Sequence, residues 1–282
     1  MLPPGVGAWE RAAALVAALR ILLDVIVFRV RRLEMANLAG AVAIMAVLRL
    51  PLGEAAVRTV FALVLNALVY LNNDYVDVDL DAQTPDKDRA KVAFLQAHKR
   101  EAFALQWVLF GVLCLIATAA PGLWLALVLG AGVCIAYSKW LKHIPGLDIL
   151  AMGVWGFAMP LCGSPLDRSL GLLLALQLGL MSAVFETIQV IRDYDADRSA
   201  GVRTTAVALG VGRTLWLARA LMLASALYAA LVLQPVAGAI AAAALLVPMR
   251  QDAVDTYWTR IKLISGVAWL CICALTFLSG VR

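Results

Sequence analysis

Three observations predict an all-α, polytopic membrane protein. First, 63% of the 282 residues are hydrophobic and the mean hydropathy is +0.87, where a soluble domain is about 45–50% apolar. Second, nine apolar helical spans can be marked along the chain, at roughly 35–52, 55–71, 102–119, 123–137, 149–162, 169–191, 214–233, 236–249 and 261–279. Third, the 24 Lys and Arg sort by loop. All but Arg49, Arg58, Arg168 and Arg282 fall in the N-terminal segment or in and beside the loops after the second, fourth, sixth and eighth spans. The positive-inside bias puts the N-terminus and those loops in the cytoplasm.

Taken in order, residues 1–33 read as an amphipathic, arginine-bearing helix at the cytoplasmic surface. It is a lead-in to a transmembrane domain over 34–282, and a solvated lead-in without binding role is the plainer alternative. Several spans are shorter than the ~20 residues that cross hydrocarbon. Short spans are tolerable where helices begin or end in a polar cavity inside the protein. The second span runs into an acidic stretch, Asn73-Asp74-Tyr75-Val76-Asp77-Val78-Asp79-Leu80-Asp81, and 82–100 form the longest polar loop. The third and fourth spans are featureless until Tyr137-Ser138-Lys139-Trp140-Leu141-Lys142. The sixth leads through Glu186 and Gln189 to Asp193-Tyr194-Asp195-Ala196-Asp197, followed by Arg198, Gly201, Arg203 and Thr204. Gly210-Val211-Gly212 reads as a helix break. The seventh to ninth spans carry few polar residues and read as scaffold and wall for an apolar tunnel.

The two acidic stretches, with Asp86, Asp88 and Glu186, hold ten of the chain's nineteen acids. On a helix Asn73, Asp77 and Asp81 stack on one face, with Asp74 beside them, and Asp193 and Asp197 repeat the spacing with Glu186 two turns earlier. Two carboxylates about 4 Å apart repel by roughly 4 kcal/mol at an effective dielectric near 20. Such contacts destabilise a helix end unless cations fill the gaps. Oxygen-only ligands suit Mg2+, which takes one or two carboxylates, waters and substrate phosphate oxygens. The chemical reading is two facing carboxylate sets holding Mg2+ that bridges a diphosphate; the plain alternative is a pair of solvated helix ends.

Other polar positions fit the same reading. Asn66 and Tyr70 continue the Asn73 stripe into the second span, where a polar group must face a cavity or another helix; an interhelical hydrogen bond would equally explain Asn66. Lys87, Arg89 and Lys91 can neutralise phosphate oxygens, Arg89 best because a guanidinium grips phosphate bidentately. An aromatic and a lysine near one membrane face, Tyr137 or Trp140 with Lys142, could serve a cation intermediate and a phosphate, or form an interfacial belt.

The +5 net charge does not point to nucleic acid, because the basic residues are not gathered on one soluble face. The five cysteines, Cys114, Cys134, Cys162, Cys271 and Cys273, all lie in apolar spans and read as small buried hydrophobes. His98 and His143 are too few for a histidine-rich zinc site. No nucleophile elbow or phosphate loop is present, and the run at 12–19 is too short and arginine-flanked for a signal peptide.

These residues carry a resemblance to the UbiA superfamily of intramembrane prenyltransferases. Asn73-Asp74-x-x-Asp77-x-x-x-Asp81 is similar to the family's NDxxDxxxD motif. Asp193-x-x-x-Asp197 with Gly201, Arg203 and Thr204 is similar to its DxxxD motif and the following segment, and Tyr137-Ser138-x-x-Leu141-Lys142 to its YSxxLK stretch. The resemblance covers about 34–280. It implies nine helices around a central cavity, with cytoplasmic capping loops and a lateral opening for a lipid tail. It implies two Mg2+ held by Asn73, Asp74, Asp77, Asp81, Asp193 and Asp197, with Arg89, Lys142 and Arg203 on the diphosphate. The chain departs from the family after Arg89, where Ala90, Lys91 and Val92 replace a common Arg-Pro and Ser-Gly turn.

The expected activity is Mg2+-dependent transfer of a prenyl group from a prenyl diphosphate to an aromatic or quinone-precursor acceptor. Asp77, Asp81, Asp193 and Asp197 would serve catalysis through the metals. Asn66, Tyr70, Tyr137, Trp140, Glu186 and Gln189 would line the cavity, and an allylic cation would be held by ring faces. The expected setting is an integral, multi-pass protein among membrane lipid, in the cytoplasmic membrane if the source is prokaryotic, its site facing the cytoplasm. A terpene cyclase of the same superfamily is the alternative. A cation-coupled transporter is weaker, because both acid clusters lie at one face whereas transporter sites lie near the midplane. Reporter fusions at Lys91 and Arg282 are expected on opposite sides of the membrane; the same side for both would remove the odd span count.

Overall fold

A computed structural model describes residues 8–31, 35–82, 88–249 and 253–280. Among them there is no β-strand. The helices are α1 (Ala8–Arg31), α2 (Ala36–Val47), α3 (Leu52–Asp81), α4 (Arg89–Ala97), α5 (Lys99–Ala119), α6 (Leu123–Lys139), α7 (Leu147–Leu161), α8 (Ser169–Arg192), α9 (Tyr194–Ser199), α10 (Thr205–Leu209), α11 (Val211–Tyr228), α12 (Pro235–Ala242) and α13 (Val254–Ser279). A 3-10 turn, Leu141–His143, precedes α7, and π and 3-10 turns extend α11 to Leu233 and α12 to Leu246.

Among the described residues, five helices are long and apolar enough to cross a membrane: α3, α5, α8, α11 with its π turn, and α13. Four apolar helices are shorter: α2, α6, α7, and α12 with its extension. Each of the marked apolar stretches carries one of these helices. The protein is thus an all-α, multi-pass membrane protein.

Two boundaries differ from expectation. Helix α3 continues ten residues past the expected end of its span and carries the whole first acidic stretch as helix. Residues 82–100 are not all loop, for α4 occupies 89–97. There Asp88 caps the helix, its carboxylate accepting the Ala90 and Lys91 N–H groups at 3.1 Å, while Val92 and Leu95 turn inward. The lead-in is helical over α1 and packs on the bundle, burying Ala17, Ile21 and Val25 against α3 and α5. Its other side exposes Leu15, Leu19, Leu23 and Val30, a surface suited to lipid rather than water.

Packing follows chain order: α3 on α5 and α6, α6 on α7, α7 on α8, α8 on α11, α11 on α12 and α12 on α13. The succession closes because α13 packs on α2 and α2 on α3. Lipid tails are as apolar as leucine, so helices in a membrane associate through close van der Waals contact and small residues. The α7–α8 pair shows this. A Cβ on Gly156 would lie 2.1 Å from the Ser182 Cβ and 3.0 Å from the Leu178 carbonyl oxygen, and one on Gly179 would lie 3.0 Å from the Gly153 oxygen.

Gly156→Ala should therefore force α7 from α8 and cost about 1–3 kcal/mol, read as a lower unfolding temperature in detergent. Gly132→Ala, in open space on α6, should leave it unchanged or raise it; equal effects from both would mean that helix propensity, not close approach, is measured.

Candidate active site

The first acidic motif is the last part of α3. Asn73 and Asp77 line a cavity of about 360 Å3 whose other walls come from Tyr70 on α3, Cys134, Tyr137 and Ser138 on α6, Met152 and Trp155 on α7, and Ser182, Phe185, Glu186 and Gln189 on α8. Arg29, Asn37 and Lys142 complete it. A second cavity of about 230 Å3 is bordered by Asn73, Asp74, Asp81, Asp88, Gln189 and Asp193, with Arg29, Lys91 and Arg192. Arg29, Asn73 and Gln189 border both, so the two adjoin across these side chains. The first combines the rings of Tyr70, Tyr137, Trp155 and Phe185 with the charges of Asp77, Lys142 and Glu186, and the second is lined mainly by charged side chains, so an amphiphile with an apolar tail and an anionic head finds both kinds of surface across the pair. A third cavity, of about 330 Å3 beside Arg49, Asp167, Arg168 and Phe277, is bordered by no motif residue.

Asp74, Asp77 and Asp193 are matched by basic side chains, the first two by residues from other elements. Asp74, buried, receives Arg29 Nη2 from α1 and Lys91 Nζ from α4, each at 2.6 Å. The Arg29 guanidinium also lies over the Tyr70 ring, 4.3 Å from its centroid. Asp77 receives Lys142 Nζ from the 3-10 turn. Asp193 is held bidentately by Arg192, at 2.8 and 3.0 Å. Tyr137 donates its hydroxyl to Glu186 Oε1 at 2.9 Å, tying α6 to α8 across the cavity.

Helix α8 ends at Arg192 and α9 begins at Tyr194, yet the four-residue spacing of the second motif survives the junction. The Asp197 N–H donates to the Asp193 carbonyl at 2.9 Å. Asp197 borders neither cavity. Burial, and next the Asp193 charge, push its carboxyl up to about 6, against a smaller lowering by Thr204 and then by the Lys142 ammonium.

The structure brings together Asn73, Asp74, Asp77, Asp81, Asp193, Lys142, Tyr70, Tyr137, Glu186 and Gln189, and leaves out others. Asn66 is buried but lies one turn below Tyr70, outside both cavities, and its Oδ1 has no hydrogen-bond partner. Trp140 is 61% exposed, because α6 ends at Lys139 and the chain turns outward there; its ring faces the Lys139 ammonium instead. Arg89 and Arg203 are exposed and border neither cavity. Arg89 opens α4, which turns Lys91, two residues on, toward Asp74. Lys87 and Asp86 lie outside the described residues. Asp79 points off the motif face and pairs with Lys99 at 2.8 Å.

Sequence reasoning also misses Arg29 and Arg192 as site residues. Both look like ordinary cytoplasmic charge, and the partner of Arg29 is 45 residues away. Asp148, fully buried at the start of α7, carries no motif signal.

Among the described residues no three His, Cys, Asp or Glu side chains gather closely enough to enclose a metal ion unaided. The oxygen donors stand instead as two sets, on α3 and at the α8–α9 junction. That arrangement fits a hard cation completing its shell with waters and phosphate oxygens.

A model described as the UbiA prenyltransferase family matches residues 35–277. A digeranylgeranylglyceryl phosphate synthase from Natronomonas pharaonis is 28% identical over 153 residues, covering 52% of this chain and 53% of that protein. A 4-hydroxybenzoate octaprenyltransferase from Pseudomonas fluorescens is 28% identical over 143 residues, covering 49% of this chain and 48% of that protein. The chain spans about half the length of these curated relatives. The structure of a UbiA homologue from Archaeoglobus fulgidus bound to DMAPP and Mg2+ superposes with a TM-score of 0.69 at 16% identity, covering 94% of this chain and 100% of that one; the likeness is one of fold. With the family model spanning nearly all of the helical bundle, the chain belongs to the UbiA prenyltransferase family.

Proposed function

We propose that the chain is a Mg2+-dependent intramembrane prenyltransferase, moving a prenyl group from a prenyl diphosphate to an aromatic or quinone-precursor acceptor. The observation that carries this reading is the adjoining pair of cavities. Residues from both acidic motifs and three basic side chains border the charged cavity, and Tyr70, Tyr137, Trp155 and Phe185 border the other together with Asp77 and Lys142. The Archaeoglobus fulgidus homologue with DMAPP and Mg2+ supports the donor class, and the name of the Pseudomonas fluorescens relative supports an aromatic acceptor.

On this reading Asn73, Asp74, Asp77 and Asp81 would hold one Mg2+ and Asp193 and Asp197 a second. Bound there, Mg2+ supplies positive charge that stabilises the departing diphosphate. Lys142, Lys91 and Arg29, which pair with the motif carboxylates in the structure, would turn to phosphate oxygens when donor enters and so free those carboxylates. Such groups aimed at developing charge in a water-poor site are often the largest catalytic contribution. The faces of Tyr70 and Tyr137 would stabilise the allylic cation left on the prenyl chain, with the Glu186 bond fixing the Tyr137 ring. The apolar walls keep out water, which would quench the cation to an alcohol. Arg89 and Arg203 contribute to the surrounding field rather than to placed contacts. Residues 8–31 belong to the active-site domain through Arg29, and the lead-in is part of the enzyme.

Asp77→Asn or Asp197→Asn should lower turnover at least 100-fold, about 2.7 kcal/mol of transition-state stabilisation, while Asp79→Asn costs under about tenfold. The assay follows pyrophosphate and organic product together. Release only with an aromatic acceptor supports transfer; a cyclic hydrocarbon from donor alone means a cyclase. Normal turnover in both Asp77→Asn and Asp197→Asn protein, folded and inserted, sinks the two-motif site.

Removing Arg29 tests the contribution of α1. A charge-assisted contact is worth about 1.5–3 kcal/mol, so Arg29→Ala should raise the KM for donor about tenfold or more, and Arg11→Ala, on the exposed part of the same helix, should not change it. Equal shifts from the two would reduce Arg29 to bulk surface charge.

A further inference from the structure

Lys142 and Asp193 border the cavities, and Lys142 and the Asp193–Asp197 motif belong to separate segments, the 3-10 turn before α7 and the junction of α8 with the short α9. One buried carboxylate joins the connections that follow them. Asp148, in the first turn of α7, is fully buried. Its Oδ2 accepts the backbone N–H of Thr205 at 2.6 Å. Its Oδ1 accepts the Thr205 hydroxyl and the N–H of Ile149, the latter at 2.9 Å. The Thr205 Oγ1 in turn accepts the N–H of Gly146 at 2.7 Å. Gly146 has a φ of 85°, a left-handed conformation that glycine adopts without steric cost.

The carboxylate thereby caps a helix from another part of the chain. Thr205 is the first residue of α10, whose own N-cap residue, Thr204, makes no side-chain cap bond. Both routes from this junction to the site are short and hydrogen-bonded. On one, the Asp148 N–H donates to the Ile144 carbonyl at 3.3 Å, and Ile144 follows the Lys142 turn directly. On the other, Val202 N–H donates to the Asp197 carbonyl at 2.8 Å, three residues before Thr205. A buried carboxylate is expensive unless its acceptor sites are filled, and here two backbone N–H groups and a hydroxyl fill them. The bond set fixes Thr205 against α7 rather than merely satisfying one helix end.

We propose that Asp148 is a positioning residue: by joining Thr205 to the Gly146–Ile149 segment, it holds the Lys142 turn and the Asp193–Asp197 segment in one register, so that both act on the same donor. The inference rests on the diphosphate site proposed above. It assigns no contact between Asp148 and the donor.

The test uses three substitutions in the full chain. Asp148→Asn keeps the shape, but either setting of its amide turns an NH2 toward a backbone N–H, that of Thr205 or that of Ile149. Thr205→Val removes the hydroxyl, and Thr205→Ser keeps it. Genetically encoded spin labels at the exposed His143 and Ser199 report the distance between the two segments. A single narrow distribution is expected for the unsubstituted chain and Thr205→Ser, and a broad one for Asp148→Asn and Thr205→Val. Binding of an unreactive prenyl diphosphate analogue with Mg2+ gives the second readout. Asp148→Asn should weaken it about tenfold, and by less than about twofold when Lys142→Ala is already present, since the latch reaches the donor chiefly by placing Lys142. If Asp148→Asn does not insert, Thr205→Val against Thr205→Ser makes the same comparison. Unchanged distances in Asp148→Asn and Thr205→Val, or a full tenfold loss persisting beside Lys142→Ala, overturn the proposal. Broadened distances, with analogue binding unaffected by either Asp148→Asn or Lys142→Ala, uphold the latch and overturn the diphosphate reading instead.

Discussion

A carboxylate at a helix end beside hydrocarbon must be matched by a cation, and that constraint organises the polar end of this protein. Asp74 is held between Arg29 and Lys91, Asp77 by Lys142 and Asp193 by Arg192. Three of the four cations come from elements other than the one bearing the acid: α1, α4 and the 3-10 turn. Neutralising the acids therefore also fastens the peripheral segments to the bundle. Removing one partner of a buried pair is far more costly than the net worth of the pair, because it strands the other charge.

The apolar part rests on different physics. Without a hydrophobic drive between helices in lipid, close approach of glycine-bearing faces holds α7 to α8. Larger side chains, Tyr70, Tyr137, Trp155 and Phe185, line the cavity. Ser182 belongs to both, packed on Gly156 and bordering the cavity, so the close α7–α8 contact stiffens the cavity wall itself.

These two halves meet at Asn73, Arg29 and Gln189, which border both cavities. On the proposed reading the leaving group lies at that seam, between Asp77 and Lys142 of the first cavity and the charges of the second, with the cation among the rings. The basic residues then have two states, paired with carboxylates or turned to phosphate, and the motif acids are released as donor binds. Burial and then the Asp193 charge raise the Asp197 carboxyl, so added positive charge at that junction would relieve it.

The helices and the two acidic motifs were legible in the chain itself. Hydropathy is a sum over adjacent residues, and i, i+4 spacing is local, so α3 with Asn73, Asp77 and Asp81 on one face follows without tertiary information. Helix α4 escaped because its apolar content is slight and its start depends on one capping residue, Asp88. The choice among basic residues was not local at all. Lys91 rather than Arg89 reaches Asp74, Arg29 arrives from 45 residues away, and Lys142 finds Asp77 across 65. Trp140 and Lys142, two residues apart, part company because a single turn after α6 sends one outward and the other inward. Sequence by itself thus determined which segments are helical, which are apolar and where negative charge concentrates, since each is a property of neighbouring residues. Tertiary structure decided which cation meets which acid and which ring faces the cavity, because those outcomes depend on how separate helices pack and on the need to leave no buried charge alone.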